Sequence, residues 1–170
     1  MKRFILNLIL VLIVPISAYS QTITRVKIGP LAGLSESQLE GTSGTIPTYS
    51  YGLFMVMDRI GLEVKKVKPF NYQFPKLVSD NFYTDFDGTT YTLNYNLYTG
   101  SSVSFAWGGG IYVEDYEYVQ VPVIPTKGRQ ISYFGTFDMM FDLSRRSGFS
   151  LGGELGYQYK SVNLGVYINL

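Results

Sequence analysis

The sequence predicts an all-β chain, a closed antiparallel up-and-down barrel of eight strands that crosses a membrane. Three observations predict it. Apolar and polar residues alternate with period two through most of the chain after residue 22, the mark of strands with two unlike faces. Rings and glycines are abundant, with 15 Tyr, 11 Phe and 18 Gly, while charged residues make up only 16%, against about 25% in soluble domains. Short and long connections alternate along the chain, which sorts them to opposite ends of a meander.

Residues 1–20 read as an address rather than structure. Lys2 and Arg3 precede a run from Phe4 to Val14 that is apolar except for Asn7, Pro15 ends it, and Ala18-Tyr19-Ser20 supplies small residues for cleavage before Gln21. This is the layout of a secretory signal peptide. The alternative, a membrane anchor, needs about 20 apolar residues, more than the run offers. Residues 21–170 are then one barrel domain, with 12 basic residues (14 less two) against 13 acidic ones. That balance leaves no basic surplus for nucleic acid.

Eight strands follow in order, at roughly 23–34, 48–57, 60–70, 90–98, 101–113, 130–143, 149–159 and 162–170. The first sets Val26, Ile28 and Ala32 against Arg25, Lys27 and Gly29, with Pro30 disturbing its regularity. The second carries an apolar row of Tyr49, Tyr51, Leu53, Met55 and Met57. In the third, Ile60, Leu62 and Val64 alternate with Gly61, Glu63 and Lys65. The fourth and fifth repeat the pattern with Tyr91, Leu93, Tyr95 and Leu97, then Val103, Phe105 and Trp107. The sixth opposes Ile131, Tyr133, Phe137, Met139 and Phe141 to Ser132, Thr136, Asp138 and Asp142. The seventh sets Phe149, Leu151, Leu155, Tyr157 and Tyr159 against Ser150, Gly152, Glu154 and Gly156. The last alternates Val162, Leu164, Val166, Ile168 and Leu170 with Asn163, Gly165, Tyr167 and Asn169. Most have about the 9–11 residues of a tilted membrane strand.

Asp58-Arg59, Thr99-Gly100 and Ser144 to Gly148 are the short connections, with a tight last turn at Lys160-Ser161; the long ones are 35–47, 71–89 and 114–129. Apart from that last turn, the short turns then fall at the periplasmic end with both termini, and the long loops outside the cell. Within the third loop, Val119 to Pro125 is apolar enough to read as a strand extension that offers an edge to a partner.

Alternation alone does not say which face meets lipid, because a soluble lipocalin-type barrel turns its apolar face inward. The polar face decides. It holds Arg25, Lys27, Glu63, Lys65, Asp138, Asp142 and Glu154 among many small residues. It is too rich in Gly for a water-facing exterior, and it suits a narrow lumen that side chains fill. The apolar face carries Tyr49, Tyr51, Phe70, Tyr91, Trp107, Tyr112, Tyr133, Phe141, Phe149 and Tyr159, many near strand ends, as interfacial girdles require. Ordinary packing of aromatic residues in a β-core is the alternative.

With these features the chain resembles the small eight-stranded outer-membrane barrels of the OmpA/OmpX type, over roughly residues 22–170. The resemblance implies outer-membrane lipid around the barrel. It also implies recognition by the barrel-assembly machinery through the C-terminal strand, at Val166, Ile168 and Leu170, although the family usually ends in Phe. Barrels of this type include lipid-modifying enzymes and proteases whose sites use His. This chain has no His and no Cys, so none of those residues carries over, and disulfides, thiol chemistry and a lipoprotein anchor are excluded. No cofactor motif is present; Gly108-Gly109-Gly110 lacks the Lys of a phosphate loop and reads as relief of crowding where a strand bends.

The inward charges are expected to form an ion-pair network that either plugs the lumen or gates a narrow pore. Tyr83, Asp85, Asp87, Tyr116 and Tyr118 are expected as loop contacts for a protein partner, the nearby acids also being candidate calcium ligands. The expected role is therefore a non-catalytic barrel that presents three long loops. A narrow passive pore, an accessory subunit of an envelope export or assembly complex, and a soluble lipocalin-like binder are the alternatives.

Overall fold

In a computed structural model, the structure describes residues 26–38, 45–70, 81–98, 102–120 and 124–170. These form eight strands: β1 (Val26–Gln38), β2 (Thr45–Met57), β3 (Ile60–Pro69), β4 (Asn81–Tyr98), β5 (Val103–Gln120), β6 (Ile124–Asp142), β7 (Ser147–Gly156) and β8 (Tyr159–Asn169). Each pairs antiparallel with the next, and β8 returns to β1, closing the barrel in sequence order. The predicted fold class is the observed one. Residues 1–20 and Arg25 lie outside the described residues.

The closing seam pairs Ile28 with Ile168 and Ala32 with Leu164 but skips Gly29 and Pro30, where proline has no N–H to give the ladder. The amide of Leu170 donates to the carbonyl of Val26 at 2.9 Å, so the ladder reaches the last residue. Asp58, in the turn between β2 and β3, has φ 49°, a left-handed conformation that Asp tolerates better than most residues.

Alternation places two unlike faces as the sequence requires. Leu53, Val64, Leu93, Phe137 and Leu164 lie outward and exposed; Lys65, Thr92, Asp138 and Asn163 lie inward and buried. Such a continuous exposed apolar wall is foreign to water-soluble monomers and suits lipid. Rings pair at both ends of it. Tyr49 meets Tyr51 and Phe70 near one end, while Tyr95–Trp107 and Phe141–Phe149 lie near the other.

Two outward assignments are corrected. Tyr112 is fully buried in the lumen, because β5 runs through its three glycines with unbroken parity and Val113, not Tyr112, lies outward. Tyr159 is also buried inside. The last turn is Tyr157-Gln158, not Lys160-Ser161, and a two-residue turn leaves its flanks, Gly156 and Tyr159, on the same face.

The connections also change. The first strand runs on to Gln38 and the second begins at Thr45; β4 begins at Asn81, inside the expected second loop. Nearly all of the expected third loop is strand, with Glu114 opposite Gln130 and Gln120 opposite Ile124. The Tyr and Val residues that fill it have the shape of strand formers.

Candidate functional site

The lumen is filled in layers, and each sequence-predicted charge among the described residues has a place in it. At the end that carries the termini, Lys27 Nζ lies 2.9 Å from Asp142 Oδ1 and 4.7 Å from the Tyr167 ring centre. Asp142 also accepts from the Tyr167 hydroxyl at 2.9 Å and from Asn169 Nδ2 at 3.4 Å. Above it sits an apolar cluster of Leu31, Phe54, Val56, Ala106, Met140 and Tyr167.

The central layer is the charged one. Lys65 Nζ lies 2.6 Å from Glu154 and 3.7 Å from Glu63. Glu154 further accepts from Ser161 at 2.5 Å and from Thr92 at 3.3 Å. Asn94 Nδ2 donates to Glu63 at 2.9 Å and to Asp138 at 2.7 Å, and Thr136 donates to Asp138 at 3.2 Å. The structure thus brings Glu63, Lys65, Asp138 and Glu154 together and sets Lys27 and Asp142 apart at the barrel end. Buried charges need such partners, since an unpaired one is costly.

A second apolar cluster closes the next level, where the rings of Tyr112 and Tyr159 stack at 4.5 Å and Phe134 tilts against Tyr159. Glycine on the neighbouring strand makes room for two of these rings: a β-carbon on Gly88 would strike the Tyr112 ring, and one on Gly110 the Phe134 ring. The glycine run of β5 therefore does relieve crowding, by receiving side chains from across the strand.

At the mouth, Ser37 donates to Glu114 at 2.7 Å and accepts from the Tyr112 hydroxyl at 3.3 Å. Glu114 opens the third long connection that the sequence predicts, 114–129, yet it is fully buried. It lies beyond Val113, at a level where the outer wall carries Asp87, Asp115 and Arg129 rather than apolar groups. Burial pushes its carboxyl up to about 7. Strand parity through residue 114 was the signal that would have placed it inside.

Above the lipid-facing band the wall turns charged and the sheet outgrows the ring. Lys66 and Lys68 each lie 3.3 Å from Asp87. Arg129 grips Asp115 through two bonds at 2.6 and 3.0 Å, holding that carboxyl below its usual range. The last β3–β4 pair is Val67–Gly88 and the last β6–β7 pair is Phe134–Gly156. Thus β4, β5 and β6 continue as a three-stranded extension whose two outer edges, Asn81–Asp87 and Ile124–Tyr133, have no strand partner among the described residues.

The expected loop contacts all lie on these strands. Asp87 faces outward to Lys66 and Lys68, and Tyr116 packs inward against the upper apolar cluster. Tyr83, Asp85 and Tyr118 are placed by backbone alone, with a register shift between Tyr83 and Asp85. Asp80, one of the second-loop acids expected as candidate calcium ligands beside Asp85 and Asp87, lies outside the described residues. Val166, Ile168 and Leu170 face outward and exposed along the closing seam.

No protein-family model matches the chain, and no curated protein matches its sequence. Solved structures do match. Neisserial surface protein A superposes with a TM-score of 0.56 at 11% identity, covering 85% of this chain and 96% of that one. Ail, the attachment invasion locus protein of Yersinia pestis, gives 0.59 at 10% identity, covering 86% and 98%. Ail in complex with the heparin analogue sucrose octasulfate gives 0.55 at 10% identity, covering 86% and 98%. The shared fold is that of small eight-stranded outer-membrane barrels.

Proposed function

We propose that the chain is a non-catalytic integral outer-membrane barrel, exported through residues 1–20, that holds a β-sheet extension outside the cell for contact with a protein partner. The observation that carries this reading is the extension itself: two strand edges that no strand pairs among the described residues, raised above a packed and lipid-facing barrel. Such an edge receives an added strand from a partner, with backbone hydrogen bonds giving affinity and side chains giving choice. The edge positions Asp85, Asp87, Lys127 and Arg129 carry both signs of charge, a pattern that discourages self-pairing.

Ail is named for attachment and invasion, which agrees with a surface-contact role for this chain. The outer charges form pairs within the sheet, so a protein edge suits this surface better than a polyanion does. A passive pore is the weaker reading, because two apolar layers and a charge network fill the lumen. The non-catalytic reading rests on a sequence without His or Cys and on charged groups that are sealed inside. The C-terminal strand, with Val166, Ile168 and Leu170 outward, is the face we assign to the assembly machinery.

The absence of native Cys gives a clean test. A Lys127→Cys variant in intact cells is expected to react with a membrane-impermeant maleimide, while Leu151→Cys on the lipid-facing wall stays unreactive. A photo-crosslinker at position 127 is expected to yield a discrete protein adduct that one at position 151 does not. Lys127→Cys left unlabelled on intact cells would overturn the outward placement, and the lack of a specific adduct would overturn the partner.

A further inference from the structure

Two hydrogen bonds cross the barrel mouth and tie its far sides together. Glu114 on β5 and Gln130 on β6 stand directly opposite each other, and both are buried inside. They reach consecutive residues of β1 on the other side of the lumen. Ser37 Oγ donates to Glu114 Oε2 at 2.7 Å, and Gln130 Nε2 donates to the Gln38 carbonyl at 2.9 Å. Around the ring, β5 is the strand farthest from β1. Between β6 and β1 the wall has already ended at this level, because β7 last pairs at Phe134–Gly156 and the chain turns at Tyr157-Gln158. Side chains thus hold the foot of the extension to the tip of β1 where no ladder does.

One of the two bonds rests on an ionisable group. Glu114 is fully buried, and its Oε1 has no hydrogen-bond partner. Ser37 faces it from β1, Gly88 from β4 and Gln130 from β6; β2, β3 and β8 add Ile46, Val67 and Tyr159 through the upper apolar cluster. The titratable groups in this layer are Tyr112, Tyr116 and Tyr159, and phenols carry no charge near neutral pH. The charged neighbours in sequence, Glu36, Lys66, Lys68, Asp87, Asp115, Arg129 and Lys160, alternate onto the outer wall. An ionised Glu114 would meet the Ser37 hydroxyl and no cation among the described residues, a costly state in a dry site. The closed geometry suits the neutral acid.

We propose that Glu114 and Gln130 form a latch: with Glu114 protonated they clamp the extension across the mouth, and ionisation of Glu114 releases it, so that external pH sets how far the mouth opens. Release exposes the carboxyl to water and returns it to its ordinary value of 4.5, whereas burial in the closed form holds it up at about 7. The ratio of open to closed barrel therefore rises with pH between those values, by a factor of at most about 300, and levels off above them. The latch does not depend on what the extension contacts.

The test again uses the lack of native Cys. Glu36→Cys on β1 and Lys127→Cys on β6, both exposed positions, take spin labels in the full-length folded barrel in mild detergent. Pulsed electron spin resonance then reads the distance between them at pH 4 and pH 8. A single narrow distance is expected at pH 4, and a second, longer population at pH 8. Glu114→Gln, which cannot ionise, is expected to keep the short distance at both. Ser37→Ala, which removes the bond without a change of charge, is expected to show the longer population already at pH 4. Heat-dependent gel mobility shows which variants are folded, and the parent with either variant suffices. The same distances in the parent at both pH values, a pH response that persists in Glu114→Gln, or a Ser37→Ala barrel as closed as its parent would overturn the latch.

Discussion

Asp138 and Gly152 stand directly opposite each other on β6 and β7, and the carboxylate of one lies where a β-carbon of the other would be. The missing side chain of Gly152 is the space in which the charged layer is assembled. Gly152→Ala is therefore expected to push Asp138 off Asn94 and Thr136 and to destabilise the barrel by about 1–3 kcal/mol, the usual cost of overpacking. Gly153→Ala, whose new β-carbon meets only an ordinary 3.6 Å contact, serves as the control. Urea unfolding in detergent measures both, and an equal cost for the two would remove the packing argument.

Lys65 is the one cation within reach of Glu63 and Glu154 among the described residues. Lys65→Met leaves these carboxylates without it in a dry interior, and such a break costs about 3–5 kcal/mol. Pairing it with Glu154→Gln is expected to recover part of the loss, because Thr92, Ser161 and Asn163 still surround that position. The same variants bear on gating. A bilayer conductance that rises in Lys65→Met above a silent parent would show that the network closes a pore, whereas silence in both matches a structural plug.

Much of this layer was legible in the sequence and some of it was not. Period-two alternation sends Glu63, Lys65, Asp138 and Glu154 to one face, so their shared interior follows from parity once the strands are fixed. Parity fails where the chain turns. Lys160-Ser161 looks more turn-like than Tyr157-Gln158, and that shift sends Tyr159 from lipid to core. Ring chemistry does not help there, since Tyr suits a girdle and a packed lumen equally. The segment around Glu114 misled for a related reason: three acids within four residues suggest solvent, while the strand-forming residues among them continue the sheet. Which carboxylate meets which lysine depends on strand register and tilt, and neither is written in alternation.

Glu114 gives a pH signature. Its carboxyl sits near 7 when folded against an ordinary 4.5, so between these values the folded barrel holds a proton that the unfolded chain has released. Stability must then fall as pH rises through that window and level off above it. Glu114→Gln cannot ionise. Relative to the parent it is expected to gain up to about 3 kcal/mol at pH 8 and little at pH 4, taking about 1.4 kcal/mol per unit. Urea midpoints across pH 4–8 measure it, and parallel curves for parent and variant would show that burial does not hold the proton. Tyr112 and Ser37, the groups bonded into this cluster, do not titrate in that range.

The outward wall makes a prediction whose sign depends on the solvent it meets. Leu164 on β8 is 57% exposed and stands between Val162 and Val166, far from the charged rim. In a water-soluble barrel, Leu164→Arg would place a charge in water and cost almost nothing. In a membrane barrel it places that charge in hydrocarbon, at about 2–4 kcal/mol near the midplane. Lys160→Leu, at the rim of the same strand, is expected to change stability far less. Folding into lipid vesicles, followed by the heat-dependent shift in gel mobility, separates the cases. A Leu164→Arg barrel that folds as well as its parent into vesicles would mean that this wall does not face lipid. The lumenal network of Lys65, Glu63 and Glu154 would then be the core of a soluble β-protein with an unusually apolar skin. A selective loss at Leu164 and not at Lys160 matches a hydrocarbon band that ends below the charged belt of Lys66, Asp87, Asp115 and Arg129.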